Sequence, residues 1–398
     1  MYSNDSQFHA YTLENHPSGK VIKLELLSEN LMPPSFSTRL LVEKMSITQG
    51  GTVLDLGAGT GIIGITAGLL GASSVTMLDV ADGADRIMRA NVGRNHMNTG
   101  MFDFLIGDLY APLGRRRFDH ILVNPPSVPS LGDELPLPYR AGPDGRFLHD
   151  AIQFLAPYYL NAGGCLTTVH GSLSNIDKSL ANLATLGFSC NVTGPVEMPI
   201  PDYYPLDYIQ QLVEQGHAYF YWRDGKPYEN RYVITARIGA EHHTPVMRLL
   251  DAAQVPFRML PHKRIAKTVA LAAAERHVPT GEMVKCILLK DKKNKFVLAC
   301  LTGESELDVQ RVREYVQDYG RLSFASPEEI TLITGYELGS VAPFSLNETI
   351  PVIIDTAIEE VGTVNISSGD PRLGLELSKA DLLKCLEKPA VIGCIRKC

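Results

Sequence analysis

The sequence predicts an α/β protein in two parts: a doubly wound, mostly parallel sheet fused to a smaller α+β unit. Three observations predict it. Between about 52 and 169, short apolar runs alternate with helix-like stretches. A glycine-rich turn follows the first of those runs directly. After about 243 the regular alternation gives way to a mixed order of helices and strands.

The apolar runs TVLDLG, SSVTMLDV, FDFLIGD, FDHILVNPP and GCLTTVHG read as short buried strands. Helices are expected over 61–70, about 83–97 and 145–160. That order implies parallel strands with helices on both faces. SLSNIDKSLANLATLGF reads as a further helix, closed by Gly187. SCNVTGPVEMPI and RYVITARIG read as two late strands, paired as a hairpin at the sheet edge. The insertion between them, about 201–230, is rich in Tyr and too long for a tight connection. A lid or binding element and a packed decoration are both open readings of it. GAEHHTPV, 239–246, is polar and turn-prone, which sets the domains at 1–243 and 244–398. In the second, PVMRLLDAAQ and IAKTVALAAAERH read as helices, and MVKCILLK, KFVLACLTG, IPVIIDTAI and GTVNISSG as strands.

The 398 residues are 45% hydrophobic and 20% charged, enough for two or three domains with cores of their own. No run of 18 apolar residues occurs, so no spanning helix is expected. The first twenty residues show no basic segment followed by an apolar one, so no secretory signal is expected. The seven cysteines are scattered, without a CxxC pair. That pattern argues against a metal or disulfide framework and for small buried thiols in a reducing cytoplasm. The net charge of −7 is unevenly placed. Residues 258–295 hold ten basic residues against three acidic ones, among them Arg258, Arg264, Lys267, Arg276, Lys285 and Lys290. Such a run suits a polyanion such as RNA and equally an ordinary solvated face.

In VLDLGAGTGIIGI, Gly57, Gly59 and Gly61 follow the first strand. Glycine there permits positive φ and a close approach of backbone to a ligand. A dinucleotide turn wants G-x-G-x-x-G, whereas GAGTGI places the third glycine one residue early. An acid, Asp79, ends the next strand, where a carboxylate suits a ribose diol. Further on, the strand Ile121–Val123 runs into Asn124-Pro125-Pro126. A strand end at the carboxyl edge of a parallel sheet faces the ligand crevice. Two prolines fix φ and remove backbone donors, leaving carbonyls that only accept. With the Asn124 side-chain oxygen they suit a planar NH2 group, whose nitrogen lone pair is thereby aimed. A rigid turn that merely leaves the sheet is the plainer reading.

Asp55-x-Gly57-x-Gly59-x-Gly61, Asp79, Asp108 in IGDLYAPL and Asn124-Pro125-Pro126 occur in that order. The series resembles the class I S-adenosylmethionine-dependent methyltransferases. Within that class it resembles the release-factor glutamine methyltransferases and the wider small-domain methyltransferases that act on RNA bases. It extends over about 31–190, with FSTRLLVEKM before the glycine turn and AGPDGRFLHDAI after the prolines. The resemblance implies S-adenosylmethionine as cofactor, held by Asp55, Gly57, Gly59, Gly61, Asp79 and Asp108. It implies Asn124, Pro125 and Pro126 as the catalytic clamp on a planar or amino nitrogen. Those families carry an aromatic residue after the prolines, stacked on the acceptor; here Ser127 stands there. Ser127 and the insertion's Tyr203, Tyr204 or Tyr208 are the expected substrate-binding residues, one tyrosine replacing the aromatic. The helical N-terminal domain of the glutamine enzymes is not expected, since about thirty residues precede PPSFST.

Four segments of the second half follow in order: TPVMRLLDAAQVPFRMLPH, IAKTVALAAAERHVPTGEMVKCILLK, GYELGSVAPFSL and VNISSGDPRLGLELSKADLL. They resemble the YbaK family, free-standing relatives of the editing domain of bacterial prolyl-tRNA synthetase. The resemblance implies hydrolysis of mischarged aminoacyl-tRNA, hence tRNA as a partner. It assigns the key lysine to Lys285, and the pocket loops to Gly339, Pro343, Phe344 and Gly369. An aminoacyl ester is already activated, so its hydrolysis needs binding and charge stabilisation more than a strong nucleophile. Lys285 in an apolar strand reads either as a ligand for phosphate or oxyanion or as a lysine snorkelling to solvent. Cys286 is expected on the opposite face and is not read as a nucleophile. The combined expectation is a bifunctional methyltransferase and aminoacyl-tRNA deacylase. The alternative is a methyltransferase of a small molecule or protein glutamine whose second domain binds without hydrolysing.

Overall fold

The computed structural model describes residues 8–12, 21–25, 34–132, 140–266, 268–347, 349–386 and 389–394. Lys267 of the basic run and most of the first twenty residues lie outside them. The chain divides into two compact units, Met1–His242 and His243–Cys398.

The first unit opens with an antiparallel pair, β1 (Phe8–Thr12) and β2 (Val21–Glu25). Helix α1 (Phe36–Lys44) begins at Ser35, whose hydroxyl caps it by accepting from the Thr38 amide at 3.2 Å. The expected alternation follows: β3 (Thr52–Leu56), α2 (Ile62–Leu69), β4 (Ser74–Asp79), α3 (Ala84–Arg94), β5 (Phe102–Ile106), β6 (Phe118–Val123), α4 (Phe147–Tyr159) and β7 (Leu160–Gly171). β3, β4 and β6 are buried on both faces, as covered parallel strands are, so their sequences read as mostly apolar runs. Their order is β5-β4-β3-β6-β7, all parallel. The order reverses between β3 and β6, where Leu56 and Val123 lie in register, and such a reversal opens a crevice at the carboxyl edge.

Then come α5 (Ile176–Thr185), β8 (Phe188–Pro199), α6 (Leu206–Glu214), β9 (Tyr221–Arg223) and β10 (Lys226–Ile238). The two late strands do pair antiparallel, but not as a simple hairpin laid on the edge. β10 inserts between β7 and β8, antiparallel to both, and β8 takes the rim. The physical reason is burial: Val233, Ile234 and Ala236 of β10 are buried, whereas β8 is mostly exposed. The insertion is packed, with Ile209 of α6 buried against Val128, Leu173, Ile200, Tyr204 and Phe220.

The second unit is α+β, as expected. Its elements are α7 (Pro245–Ala252), β11 (Arg258–Pro261), α8 (Val269–Arg276), β12 (Val284–Lys290), β13 (Phe296–Thr302), α9 (Val309–Tyr315), β14 (Ser323–Phe324), α10 (Pro327–Thr334), β15 (Val352–Asp355), β16 (Thr363–Asp370), β17 (Leu373–Ser378), α11 (Lys379–Cys385) and β18 (Ala390–Ile392). A mixed sheet has the order β14-β12-β13-β15-β18, and an antiparallel one the order β11-β17-β16. A bridge between Met283 and Asn365 links them. Among the described residues no helix is long and apolar enough to cross a membrane.

Candidate functional sites

At the end of β3 the chain enters the glycine turn. Gly57, Gly59 and Gly61 have φ of 73°, 53° and 82°, the left-handed region that glycine permits. A Cβ on Gly57 or Gly59 would meet nothing within 4 Å, whereas one on Gly61 would press on Met77 Sδ at 3.2 Å. The first two glycines therefore leave open space over the turn, and the third lets α2 settle on β4. Asp55 lies beneath, fully buried. Its Oδ2 accepts from the Gly64 amide at 2.8 Å, and its Oδ1 has no partner among the described residues. Burial pushes its carboxyl up to about 7; the Gly64 amide opposes this and the nearby Asp79 adds to it. Asp79 clips the turn, accepting from the Gly59 amide at 2.7 Å and from the Ala81 amide at 2.9 Å. Each of its oxygens keeps a second lone pair. The Gly107 amide donates to the Asp79 carbonyl at 2.9 Å, which brings the half-buried Asp108 beside it. The six residues expected at a cofactor thus gather at one edge.

Asn124 stands one residue beyond β6, next to the glycine turn across the Leu56–Val123 pairing. Its Nδ2 donates to Thr38 Oγ1 at 2.9 Å and to Ser35 Oγ at 3.4 Å. The first turn of α1 therefore takes up the amide nitrogen, and among the described residues Oδ1 is left as an acceptor without a donor. Pro125 is buried and Pro126 half-buried. Ser127 is also buried, and its Oγ accepts from Arg231 Nη1 at 3.1 Å. Arg231 in turn pairs with Glu229 Oε1 at 2.5 Å. Glu229 is 0% exposed and Arg231 5%, and Glu229 Oε2 and Arg231 Nε have no partner among the described residues. Burial pushes the Glu229 carboxyl up, against the pull of Arg231. Gly171, opposite Arg231 on β7, makes room for the pair: a Cβ there would lie 2.7 Å from Glu229 Oε2.

Of the three insertion tyrosines, Tyr204 is buried and reaches Arg231. Tyr203 is exposed and lies edge-on to Tyr204, and the Tyr208 hydroxyl donates to the Pro143 carbonyl at 2.8 Å. Gly145 of AGPDGRF, at φ 70°, backs onto the clamp: a Cβ there would lie 2.7 Å from the Ser127 carbonyl oxygen. Sequence reading did not single out Ser35, Thr38, Glu229 or Arg231. The available signals were Ser-x-x-Thr at a helix start and a Glu-x-Arg pair at strand period just before the apolar stretch YVITA.

In the second unit Lys285 lies on β12, and its Nζ donates to the Gly303 carbonyl at 3.1 Å. Burial lowers its pKa, with Glu306 opposing. Cys286 faces the other way, 3.5 Å from Cys300 Sγ. Gly339 and Gly369 both have positive φ, 93° and 92°. Ser367 joins their turns, donating to the Ser340 carbonyl at 2.7 Å and accepting from the Gly369 amide at 3.1 Å. Pro343 and Phe344 are buried, so they anchor the Gly339 loop. Among the described residues no hydrogen bond joins Lys285 directly to either glycine turn. The basic run is partly neutralised within the unit, since Arg258, Arg264 and Lys290 pair with Glu376, Glu275 and Glu329.

Comparison with known proteins gives the two halves different relatives. Residues 34–183 match the family model of the methyltransferase small domain, and residues 263–385 match that of the aminoacyl-tRNA editing domain. The chain is 29% identical to a protein N5-glutamine methyltransferase of Methanocaldococcus jannaschii, over 46% of this chain and 92% of that protein. It is 28% identical to the release factor glutamine methyltransferase of Geobacter sulfurreducens, over 41% of this chain and 61% of that protein. It is 26% identical to the multifunctional Ser/Thr-tRNA deacylase ProXp-y of Escherichia coli K12, over 38% of this chain and 93% of that protein. The chain thus joins a methyltransferase domain to a tRNA-editing domain.

Proposed function

We propose that the N-terminal unit transfers a methyl group from S-adenosylmethionine to a carboxamide nitrogen, that of a protein glutamine, and that the C-terminal unit hydrolyses aminoacyl-tRNA. The residues at the first edge fit the cofactor. Open space lies over Gly57 and Gly59, and the buried Asp55 Oδ1 lacks a partner. Gly57 and Gly59 would let backbone approach it, with Asp79 at its ribose, Asp108 at its base and Asp55 supporting the turn from below. The cofactor supplies a methyl group already activated on a sulfonium, so the protein's contribution is positioning. Asn124 Oδ1 and the neighbouring carbonyls accept from the incoming NH2 group and turn its lone pair toward the turn.

The observation that carries this reading is the Asn124 amide, whose nitrogen is held by Thr38 and Ser35 so that its oxygen is free. The test incubates the protein and tritiated S-adenosylmethionine with cell extract, followed by peptide mapping. Label on glutamine that disappears with Asn124→Ala supports the reading, and label on another residue type, or equal labelling by the variant, sinks it.

For the second unit, Lys285 supplies positive charge in a partly desolvated place, and Ser367 fixes the two glycine turns that would frame the pocket. The relative that deacylates Ser/Thr-tRNA supports tRNA as the partner. The test is deacylation of a panel of charged tRNAs by wild type and Lys285→Ala. One observation favours a second reading, binding without hydrolysis: the Lys285 amine is held on the Gly303 carbonyl. Salt-dependent tRNA binding without ester cleavage would establish it in place of the first.

A further inference from the structure

Arg276, the last residue of α8, is 8% exposed, and no carboxylate pairs with it among the described residues. Its Nε donates to His262 Nε2 at 2.9 Å, and its Nη1 donates to the Ile366 carbonyl at 3.1 Å and lies 3.7 Å from Met283 Sδ. Its Nη2 has no partner in the described chain. His262 is buried and must be neutral to accept from a guanidinium. Room for this arrangement is made by Gly374, where a Cβ would collide with the guanidinium.

Met283 relates Arg276 to Lys285. Met283 is extended (φ −71°, ψ 133°) and precedes Lys285 by two, so both project from the same side of the strand. A Cβ on Gly303, whose carbonyl holds Lys285, would lie 3.0 Å from Met283 Cβ. Ile366, which holds Arg276, directly precedes the Ser367 that joins the two glycine turns. Arg276 therefore links the two halves of the site that no direct hydrogen bond connects. The other arginines of the basic run, Arg258 and Arg264, sit on the surface with carboxylates, while among the described residues no salt bridge is formed by Arg276 or Lys285, the latter feeling only the charge of Glu306. Desolvating a cation without an anion is unfavourable unless a ligand brings the missing charge.

We propose that Arg276 is a second anion-binding group of the C-terminal site, taking with Lys285 the phosphate of the terminal nucleotide at an aminoacylated RNA end. The proposal rests on the deacylase reading for the identity of the ligand, but not for the existence of the anion site. The planar fork of arginine suits a phosphate's paired oxygens, and the neutral ester beyond it supplies no charge of its own.

The test uses the full chain with saturating S-adenosylhomocysteine, which occupies the other nucleotide site. AMP, adenosine and inorganic phosphate are titrated by calorimetry into wild type, Arg276→Met and Arg276→Lys. Wild type is expected to bind AMP at least ~10-fold more tightly than adenosine, and Arg276→Met to abolish that difference while adenosine binding stays unchanged. Arg276→Lys keeps the charge without the fork and is expected to retain part of the preference, which also serves if the methionine variant does not fold. Equal binding of AMP and adenosine by wild type, or an unchanged preference in the variants, overturns the site. Inorganic phosphate binding as tightly as AMP overturns the RNA end as its source.

In the deacylation assay Arg276→Met should raise KM for aminoacyl-tRNA ~10-fold with kcat kept, and leave hydrolysis of a phosphate-free aminoacyl-adenosine unchanged. Equal loss on both substrates overturns the phosphate role. A wild type that binds AMP through Arg276 yet cleaves no ester sinks the deacylase reading and leaves the anion site standing.

Discussion

Asp55→Asn should stabilise the ligand-free protein at neutral and alkaline pH, and should not do so in acid. The carboxyl is fully buried and its pKa stands at about 7, against 3.8 when free. A carboxyl raised in the folded state gives stability that is intact below 3.8 and lost as pH rises through about 7, because folding must then expel its charge from water. That interval corresponds to ~4 kcal/mol at pH 8. Asparagine keeps the acceptor for the Gly64 amide and carries no charge. Its NH2 group replaces the partnerless Oδ1, as the O–H of the protonated acid does, so the two neutral forms compare nearly evenly. The gain at pH 8 should therefore exceed that at pH 4.5 by ~3 kcal/mol. In a unit of this size that is ~6–12 °C of melting temperature, read by circular dichroism at the two pH values. Affinity for S-adenosylhomocysteine should move the other way, falling ~10-fold. A melting temperature unchanged by the substitution, or changed equally at both pH values, refutes the reasoning.

Thr38→Ala removes the shorter of the two bonds that orient the Asn124 amide, so kcat for methyl transfer should fall ~10-fold with S-adenosylhomocysteine affinity unchanged; equal loss of both counts against the clamp. Glu229→Gln leaves Arg231 buried without its counter-charge and should cost ~3–5 kcal/mol in urea melts, most of it recovered when both residues become Met; a silent single variant refutes the pair's structural role. Lys285→Ala should lower deacylation by ~10²-fold or more and reduce the salt slope of tRNA binding by about one. An unchanged slope excludes a lysine–phosphate contact.

The parallel sheet was legible because strands covered on both faces are mostly apolar, as β3, β4 and β6 are, with polar residues such as Asp55, Thr76 and His120 as exceptions. The glycine turn and Asn124 were legible because their residue types answer to backbone geometry at a strand end. Three features were not. The insertion of β10 between β7 and β8 depends on which of two distant strands is the more apolar, and local pattern does not encode partner choice. The orientation of the Asn124 amide is set from α1, 86 residues earlier in the chain. Arg276 at a helix C-terminus reads in sequence as a surface cation complementing the helix dipole, whereas in the fold its guanidinium is buried against Gly374 of β17.

The serine after the two prolines takes on a meaning that sequence alone did not provide. A stacked aromatic at that position would restrain an acceptor and rigidify its loop at once. Here the two tasks come apart. Ser127 turns inward, its hydroxyl on Arg231 and its carbonyl against Gly145. The loop is thus fixed from behind, by β10 on one side and the AGPDGRF segment on the other. Arg231 is held by Glu229 and reached by Tyr204, so the packed insertion is part of the same support. The serine therefore need not mark a dead clamp, because the rigidity an aromatic gives the loop is supplied by a buried ion pair in the space that Gly171 leaves open. The acceptor side of the crevice then lacks a stacking ring at this position. An acceptor fitted to it is selected by hydrogen bonds at Asn124 more than by burial of a flat face.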